Sequence, residues 1–165
     1  MIQMSKLNLL RDTVIIRAFA FLHIRLLWWV GPSVIENSSE RVILKIPLSR
    51  RTRNHLRTMY FGALAMGAES AVAITAIQEI KRQGGHIDFI FKDFSAQFLK
   101  RADGDVHFVC EQSQRVAQLV AKAKASSERV SEEFQSYAIV PSKSATEKVA
   151  TFNITLSLKA RAAEV

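Results

Sequence analysis

Residues 49–70 read SRRTRNHLRTMYFGALAMGAES, and this stretch changes character at its midpoint. Its first half is rich in arginine, whereas its second half consists mostly of small or apolar residues until Glu69. No acidic residue lies between Glu40 and Glu69. The basic half predicts contact with an anion, which is either a nucleic acid or a small ligand held beside one carboxylate.

The apolar half belongs to a predicted helix that runs from Arg57 to Arg82. No proline interrupts this segment, and KRQGG closes it with basic residues followed by glycine. Gly62 and Gly67 lie inside it, and each costs about 1 kcal/mol of helix stability relative to alanine. We therefore expect another element to approach this helix closely, as a sheet wrapped around it would.

The rest of the chain predicts an α+β fold with a mainly antiparallel sheet. In GPSVIENSSE, Gly31 and Pro32 end a first helix. The residues Asn37, Ser38 and Ser39 then form a turn between two short predicted strands, Val34–Ile35 and Val42–Leu48. HIDFIFKD alternates as a strand, RADGD is a turn, and VHFVCEQ is the predicted hairpin partner. VATFNITLSLKA is the clearest strand, while SQRVAQLVAKAKASSERVSEE fits either a helix or a long strand.

The first 31 residues are largely apolar, but charged residues interrupt them. The longest uncharged stretch is well short of the roughly 18 residues that a membrane span needs. No signal-peptide cleavage site follows the apolar part. Arg11, Arg17 and Arg25 gather on one side of a helical wheel, which predicts an amphipathic helix. This helix either packs on the core or lies in a membrane interface. We predict one domain, in which residues 1–31 pack on residues 32–165.

Composition narrows the class of protein. The chain has 165 residues, a net charge of +8 and 48% hydrophobic residues, which predicts a cytoplasmic globular domain with an anionic partner. Its single cysteine, Cys110, lies in a predicted strand and is expected to be a buried, inert thiol. The four histidines lack metal-site spacing, so no metal is expected.

NHLRTMYFGALAMGAE resembles the signature of the phenylacetate-pathway-type acyl-CoA thioesterases of the hotdog-fold superfamily. That signature is N-x-x-G-x-x-H-G-G, followed seven residues later by an acid. The matching positions are Asn54 for Asn, Arg57 for the first Gly, Tyr60 for His, Phe61 and Gly62 for the Gly pair, and Glu69 for the acid. TMYFGAL and FLKRADGDV are more similar still to an uncharacterised branch, known only as a domain of unknown function.

The resemblance covers about Val34 to Arg161 and implies a hotdog fold, in which a curved sheet wraps a long central helix. It implies a thioesterase in which Glu69 activates water, Asn54 orients it, and the N–H groups near Phe61 and Gly62 hold the oxyanion. The apolar neighbours of Glu69 should raise its pKa toward the range of a general base. The arginines expected to hold the phosphates of coenzyme A, which is part of the substrate and not a separate cofactor, are Arg50, Arg51, Arg53 and Arg57.

The resemblance further implies a homo-oligomer, a dimer or tetramer, with the site between subunits. The N-terminal helix would then cap the acyl tunnel. Departures from the signature leave an alternative open, a hotdog protein that binds acyl-CoA or lipid without hydrolysis. Tyr60 replaces the His, Arg57 and Phe61 replace glycines, and Lys100 stands near a strand position often held by Ser or Thr. Nucleic acid is disfavoured because no recognisable binding module is present.

Overall fold

The computed structural model describes residues 6–161. In it, two N-terminal helices precede a sheet that packs on one long central helix. The helices are α1 (Lys6–His23), α2 (Arg25–Val30), α3 (Phe61–Gln83) and α4 (Ser113–Lys124). The strands are β1 (Ser33–Asn37), β2 (Val42–Ile46), β3 (Ile87–Phe98), β4 (Val106–Cys110), β5 (Val130–Ile139) and β6 (Lys148–Ala160).

The six strands form one sheet in the order β1-β2-β4-β5-β6-β3, and every neighbouring pair is antiparallel. The predicted α+β class, with a long helix covered by an antiparallel sheet, is therefore confirmed. The strands β1 and β3 lie at opposite edges of the sheet. Each edge strand pairs with only one neighbouring strand, but α1 packs beside β1, so the row of backbone groups that remains open is on β3.

The centre of α3 lies directly on the sheet. A Cβ atom added at Gly67 would lie 2.2 Å from Cε2 of Phe108, which is fully buried on β4. Phe134 on β5 and Phe152 on β6 are buried in the same core. The close approach expected from the glycines of this helix is present, and Gly67 is the residue that permits it.

Gly67→Ala is therefore expected to lower the free energy of unfolding by about 1–3 kcal/mol through overpacking. Elsewhere in a helix the same change raises stability by about 1 kcal/mol, so the sign alone tests the contact. Denaturant unfolding would measure it, with Phe108→Leu and the double variant completing a cycle. If the smaller Leu side chain does not reduce the penalty, the contact with Phe108 is not its cause.

The predicted hairpin between the third and fourth strands is wrong. β3 pairs with β6 along its whole length, from Ile87 opposite Ala160 to Phe98 opposite Ala150, while β4 lies between β2 and β5. The loop after β3 is anchored elsewhere, because the Met59 N–H donates to the Ala102 carbonyl at 2.8 Å. This loop carries the chain across the end of the sheet instead of folding back.

The structure also settles the boundaries of three other segments. α3 begins at Phe61 and not at Arg57. The segment that fitted either a helix or a strand divides into α4 and the start of β5. The first helix breaks at Ile24 into α1 and α2, and Gly31 ends α2 in the left-handed conformation, with φ of 66°.

The helix α1 packs along the edge strand β1. Arg17 Nε donates a hydrogen bond to the Pro32 carbonyl at 2.8 Å, and the Val34 N–H donates to Thr13 Oγ1 at 3.0 Å. Within residues 6–161, only α3 has the length and apolar character that a membrane span requires, and half of its most apolar stretch is buried in the domain.

Candidate functional site

The loop that precedes α3 is tied down at Thr52, which is 1% exposed. Thr52 Oγ1 donates to the Pro47 carbonyl at 2.6 Å, and the Tyr60 N–H donates to the Thr52 carbonyl at 2.7 Å. These bonds bring the end of the loop back beside its start. The result is a fixed entry to α3, so the basic residues of the loop project from a defined support.

Asn54 holds the tip of this loop. Its Oδ1 accepts hydrogen bonds from the backbone N–H groups of Leu56 and Thr58, at 2.9 and 3.2 Å, and its Nδ2 donates to Thr58 Oγ1. The side-chain amide is thus committed to the loop. Its predicted part in orienting water stays a prediction.

Arg57 has φ of 61°, and it is the one residue other than glycine with positive φ in the described part of the chain. This is the position at which the resembled signature has its first glycine. The left-handed conformation costs an L-residue about 1–2 kcal/mol, whereas glycine adopts it freely. Arg57 therefore adopts a backbone conformation that favours glycine, at the position where the resembled signature has one.

Arg57→Gly is expected to raise the free energy of unfolding by about 0.5–1 kcal/mol, because relief of the backbone strain outweighs the added entropy of the unfolded chain. Arg57→Ala is the control, since it removes the same charge but keeps the Cβ. Thermal unfolding of both would separate the two effects. Equal melting temperatures for the Gly and Ala variants would contradict the strain explanation.

The N-terminus of α3 presents free donors. Within residues 6–161, the N–H groups of Phe61 and Gly62 have no hydrogen-bond acceptor, and no side chain caps the helix at Tyr60. The Tyr60 ring covers Gly62 so closely that a Cβ there would lie 2.6 Å from Cε1 of the ring. These two donors and the positive end of the helix dipole are suited to binding an oxyanion.

Glu69 lies two turns further along α3, on its exposed side. It shares that side with the partly exposed residues Gly62, Met66 and Ala73, which are all small or apolar. Within the described chain Glu69 has neither a hydrogen bond nor an ion pair, and partial desolvation by the surrounding protein raises the pKa of its carboxyl group. A carboxylate whose pKa is raised in this way is a stronger base than a fully solvated one.

The four predicted phosphate-binding arginines, Arg50, Arg51, Arg53 and Arg57, are all exposed, and none forms an ion pair with a described acid. Arg51 is held in place, since its guanidinium carbon lies 4.7 Å from the centre of the Trp29 ring. The loop therefore carries uncompensated positive charge beside the N-terminus of α3.

A groove of about 540 Å³ lies at this end of the helix. Asn54, Tyr60 and Phe61 line one side of it, and Phe98 and Lys100 from the end of β3 line the other. Glu69, Gly62 and the four arginines are outside its lining, and so are all residues of α1 and α2. Within one chain the N-terminal helices do not line this groove, and their predicted role in capping an acyl tunnel stays a prediction.

Sequence reasoning missed the apolar wall of the groove, formed by Phe98 and Leu99. The sequence signal for this wall is the start of FLKRADGDV, where two large apolar residues come directly before a turn that does not require them. Lys100, near the expected Ser or Thr position, does line the groove, and it forms an ion pair with Glu147. Residues 6–161 hold no cluster of three or more His, Cys, Asp or Glu that would bind a metal ion.

Solved structures of other proteins share this fold. A Chlorobaculum tepidum protein of unknown function superposes with a TM-score of 0.78 at 12% identity, covering 92% of this chain and 96% of that one. A Pseudomonas aeruginosa protein described as a probable thioesterase gives 0.70 at 20% identity, covering 90% and 96%. A point mutant of another P. aeruginosa thioesterase gives 0.62 at 12% identity, covering 97% and 98%. These likenesses confirm the hotdog fold.

No curated protein matches the chain by sequence. A family model does match, over residues 14–158, and it describes a domain of unknown function, DUF4442. That match confirms the resemblance to an uncharacterised branch of the thioesterase superfamily. Since it spans most of the sequence, the chain belongs to the DUF4442 family.

Proposed function

We propose that the protein is an acyl-CoA thioesterase whose active site forms between two copies of the chain. The proposal rests on one observation: α3 carries both an acid and backbone donors that have no partner within the described chain. Glu69 is an unpaired carboxyl group with a raised pKa, and the N-terminus of α3 offers free N–H donors. A general base and an oxyanion site are the two elements that thioester hydrolysis requires.

In the proposed reaction, Glu69 removes a proton from a water molecule whose oxygen attacks the thioester carbonyl carbon. The N–H groups of Phe61 and Gly62 stabilise the negative charge that develops on the carbonyl oxygen. Collapse of this intermediate breaks the C–S bond, and the proton held by Glu69 passes to the departing thiolate. The products are a carboxylic acid and a free thiol.

The spacing on α3 favours two chains over one. Seven residues separate Gly62 from Glu69, which corresponds to about 10 Å along the helix axis. A single carbonyl needs the donors and the activated water within about 3 Å, so one chain does not bring both groups to it. Two α3 helices placed side by side and antiparallel would bring Glu69 of each chain to the N-terminus of the other. The long free edge of β3 offers a surface for such pairing.

The solved structures support the reaction class, because several proteins with this fold are described as thioesterases. The basic loop supports coenzyme A as the carrier, since arginine binds phosphate through paired N–H donors. Acyl-CoA panels from short to long chains, with thiol release as the readout, would test the activity and begin to define the acyl group.

The Arg50→Ala/Arg53→Ala variant is expected to raise KM for acyl-CoA about ten-fold, because two charge-assisted phosphate contacts are lost. Its KM for the matching N-acetylcysteamine thioester, which has no phosphate, is expected to stay unchanged. Lys122→Ala/Lys159→Ala, which removes two exposed positive charges from α4 and β6, is the matched control for net charge. Equal losses with both substrates would argue against phosphate recognition.

A second candidate, an acyl-CoA- or lipid-binding protein without hydrolytic activity, is favoured by three local features. Asn54 is committed to its loop, Tyr60 replaces the signature His, and Lys100 is ion-paired with Glu147. Such a protein would gain melting temperature with acyl-CoA and release no thiol from any chain length. Thiol release by the wild-type chain would exclude it.

A further inference from the structure

The outward faces of α1 and α2 carry an unusual amount of exposed apolar surface. Leu7 is 75% exposed, Leu22 69% and Leu26 72%. The other large apolar residues exposed on these helices are Leu10, Val14, Ile15, Phe19, Phe21, Trp28 and Trp29. We call this set, with Leu7, Leu22 and Leu26, the N-terminal apolar face. A patch of this size on a protein surface marks an interaction site.

The side of α1 that faces the domain is also apolar, with Ala20 buried and Leu9 and Ile16 packed on the core. A helix that packs on its own domain by one face usually presents polar residues on the other. Here both sides are apolar, so packing on β1 accounts for only half of the pattern. The N-terminal apolar face needs an apolar environment that the described chain does not supply.

Positive charges surround this face. Lys6, Arg11 and Arg25 are exposed, and Arg25 lies 5.2 Å from the centre of the Phe21 ring. Asp12 is the one acidic residue between positions 6 and 35, and its carboxylate forms an ion pair with the Arg11 guanidinium at 3.4 Å. Lys6 and Arg25 have no acidic partner among the described residues, so the free charge at the face is cationic.

We propose that the N-terminal apolar face docks on the surface of an anionic lipid bilayer, with α1 and α2 lying in the interface. The apolar side chains would enter the acyl boundary, while the cations would meet lipid phosphates. Trp28 and Trp29 suit the headgroup level, where an amphipathic aromatic ring is favoured. Crossing the bilayer is not part of the proposal, because α1 carries four charged residues within 18.

Charge argues for a bilayer over a second copy of the chain. Two N-terminal apolar faces in contact would bring the unpaired cations Lys6 and Arg25 of one chain toward the same cations of the other, whereas anionic headgroups neutralise them. The face also lies beside β1, at the opposite edge of the sheet from β3. A dimer through β3 would leave the N-terminal apolar face uncovered. The proposal of membrane docking does not depend on thioesterase activity.

The two tryptophans of the sequence both lie in α2 and are exposed, so intrinsic fluorescence reports on this face directly. Vesicles of phosphatidylcholine with one-quarter phosphatidylglycerol are expected to shift the full chain's tryptophan emission to the blue. Brominated lipid in the same vesicles is expected to quench it. Pure phosphatidylcholine vesicles should bind more weakly, because the electrostatic attraction is lost. Absence of any shift or quenching with the anionic vesicles would overturn the proposal.

The variant Leu10→Gln/Val14→Gln/Leu22→Gln keeps good or acceptable helix formers at exposed positions and is expected to weaken vesicle binding about ten-fold or more. Ile90→Gln, which changes an exposed apolar residue on β3 at the far edge of the sheet, is expected to bind as the wild type does. If the triple variant binds vesicles equally well, attraction by charge alone explains the binding. If light scattering shows that it only dissociates an oligomer, the face is an interface between chains. Either result would overturn the proposal.

Discussion

Glu69→Gln is expected to lower kcat for acyl-CoA hydrolysis by about 10²–10⁴-fold, the typical contribution of a general base. Glutamine keeps the size and polarity of the side chain but cannot accept the proton from water. The substrate should still bind, so KM is expected to change much less than kcat. Thiol release at saturating substrate is the measurement.

Glu79→Gln is the matched control, because Glu79 lies on the same helix near its C-terminal end, where it forms an ion pair with Arg82. It should retain full activity. If Glu69→Gln keeps its activity, Glu69 is not the general base. The assignment of the hotdog fold would not be affected.

The raised pKa of Glu69 fixes the sign of two pH effects. The base works only when ionised, so kcat/KM is expected to rise with pH through the Glu69 pKa, which lies above the ordinary 4.5. A profile that is already level from pH values near 4.5 upward would contradict this.

Stability should respond to pH in the opposite direction. Because its pKa is higher in the folded than in the unfolded state, the stability linked to Glu69 is present at low pH and is lost as pH rises through the folded pKa. At neutral pH the Glu69→Gln variant is therefore expected to melt at a higher temperature than wild type. A variant that loses both activity and stability would indicate a structural role for the carboxylate.

Phe61→Pro is expected to lower kcat by about 10²–10³-fold, the cost of losing one oxyanion donor. Proline is tolerated at the first position of a helix, and Tyr60 before it already has an extended backbone, with ψ of 139°. The change therefore removes the N–H with little strain. Phe61→Ala removes the same ring but keeps the N–H, so it should keep most of the activity.

Mixing the two inactive variants tests whether the site lies between chains. If Glu69 of one copy works with the α3 N-terminus of another, co-refolding Glu69→Gln with Phe61→Pro gives mixed dimers with one intact site each. A random dimer mixture would then recover roughly a quarter of wild-type activity. A site contained in one chain would recover none, and this outcome would refute the two-chain geometry.

Local sequence was sufficient wherever neighbouring residues decide the structure. The strands around Cys110 and Phe152, the glycine stop at Gly31 and the long helix through Gly67 all follow from periodicity, turn residues and composition. The signature positions were also recognisable, because they depend only on residue type and on spacing along the chain.

The pairing of β3 was not predictable from local pattern. An alternating strand next to a turn fits a hairpin, but β3 pairs with β6, which lies more than 50 residues later in the chain. The start of α3 was misplaced for a similar reason. Residues 57–60 have acceptable helix propensity, but the bond from the Tyr60 N–H to Thr52 and that from the Met59 N–H to Ala102 hold them in the loop.

The sequence by itself determined the fold class, the signature residues, the excess of positive charge and the apolar character of the N-terminal segment. These properties depend on residue type and on spacing along the chain. Only the tertiary structure decided which side of α3 is open, that Glu69 lies on it unpaired, and that the N-terminal apolar face is exposed. Exposure and desolvation depend on residues distant in sequence, because each is set by what packs against a group and not by the group itself.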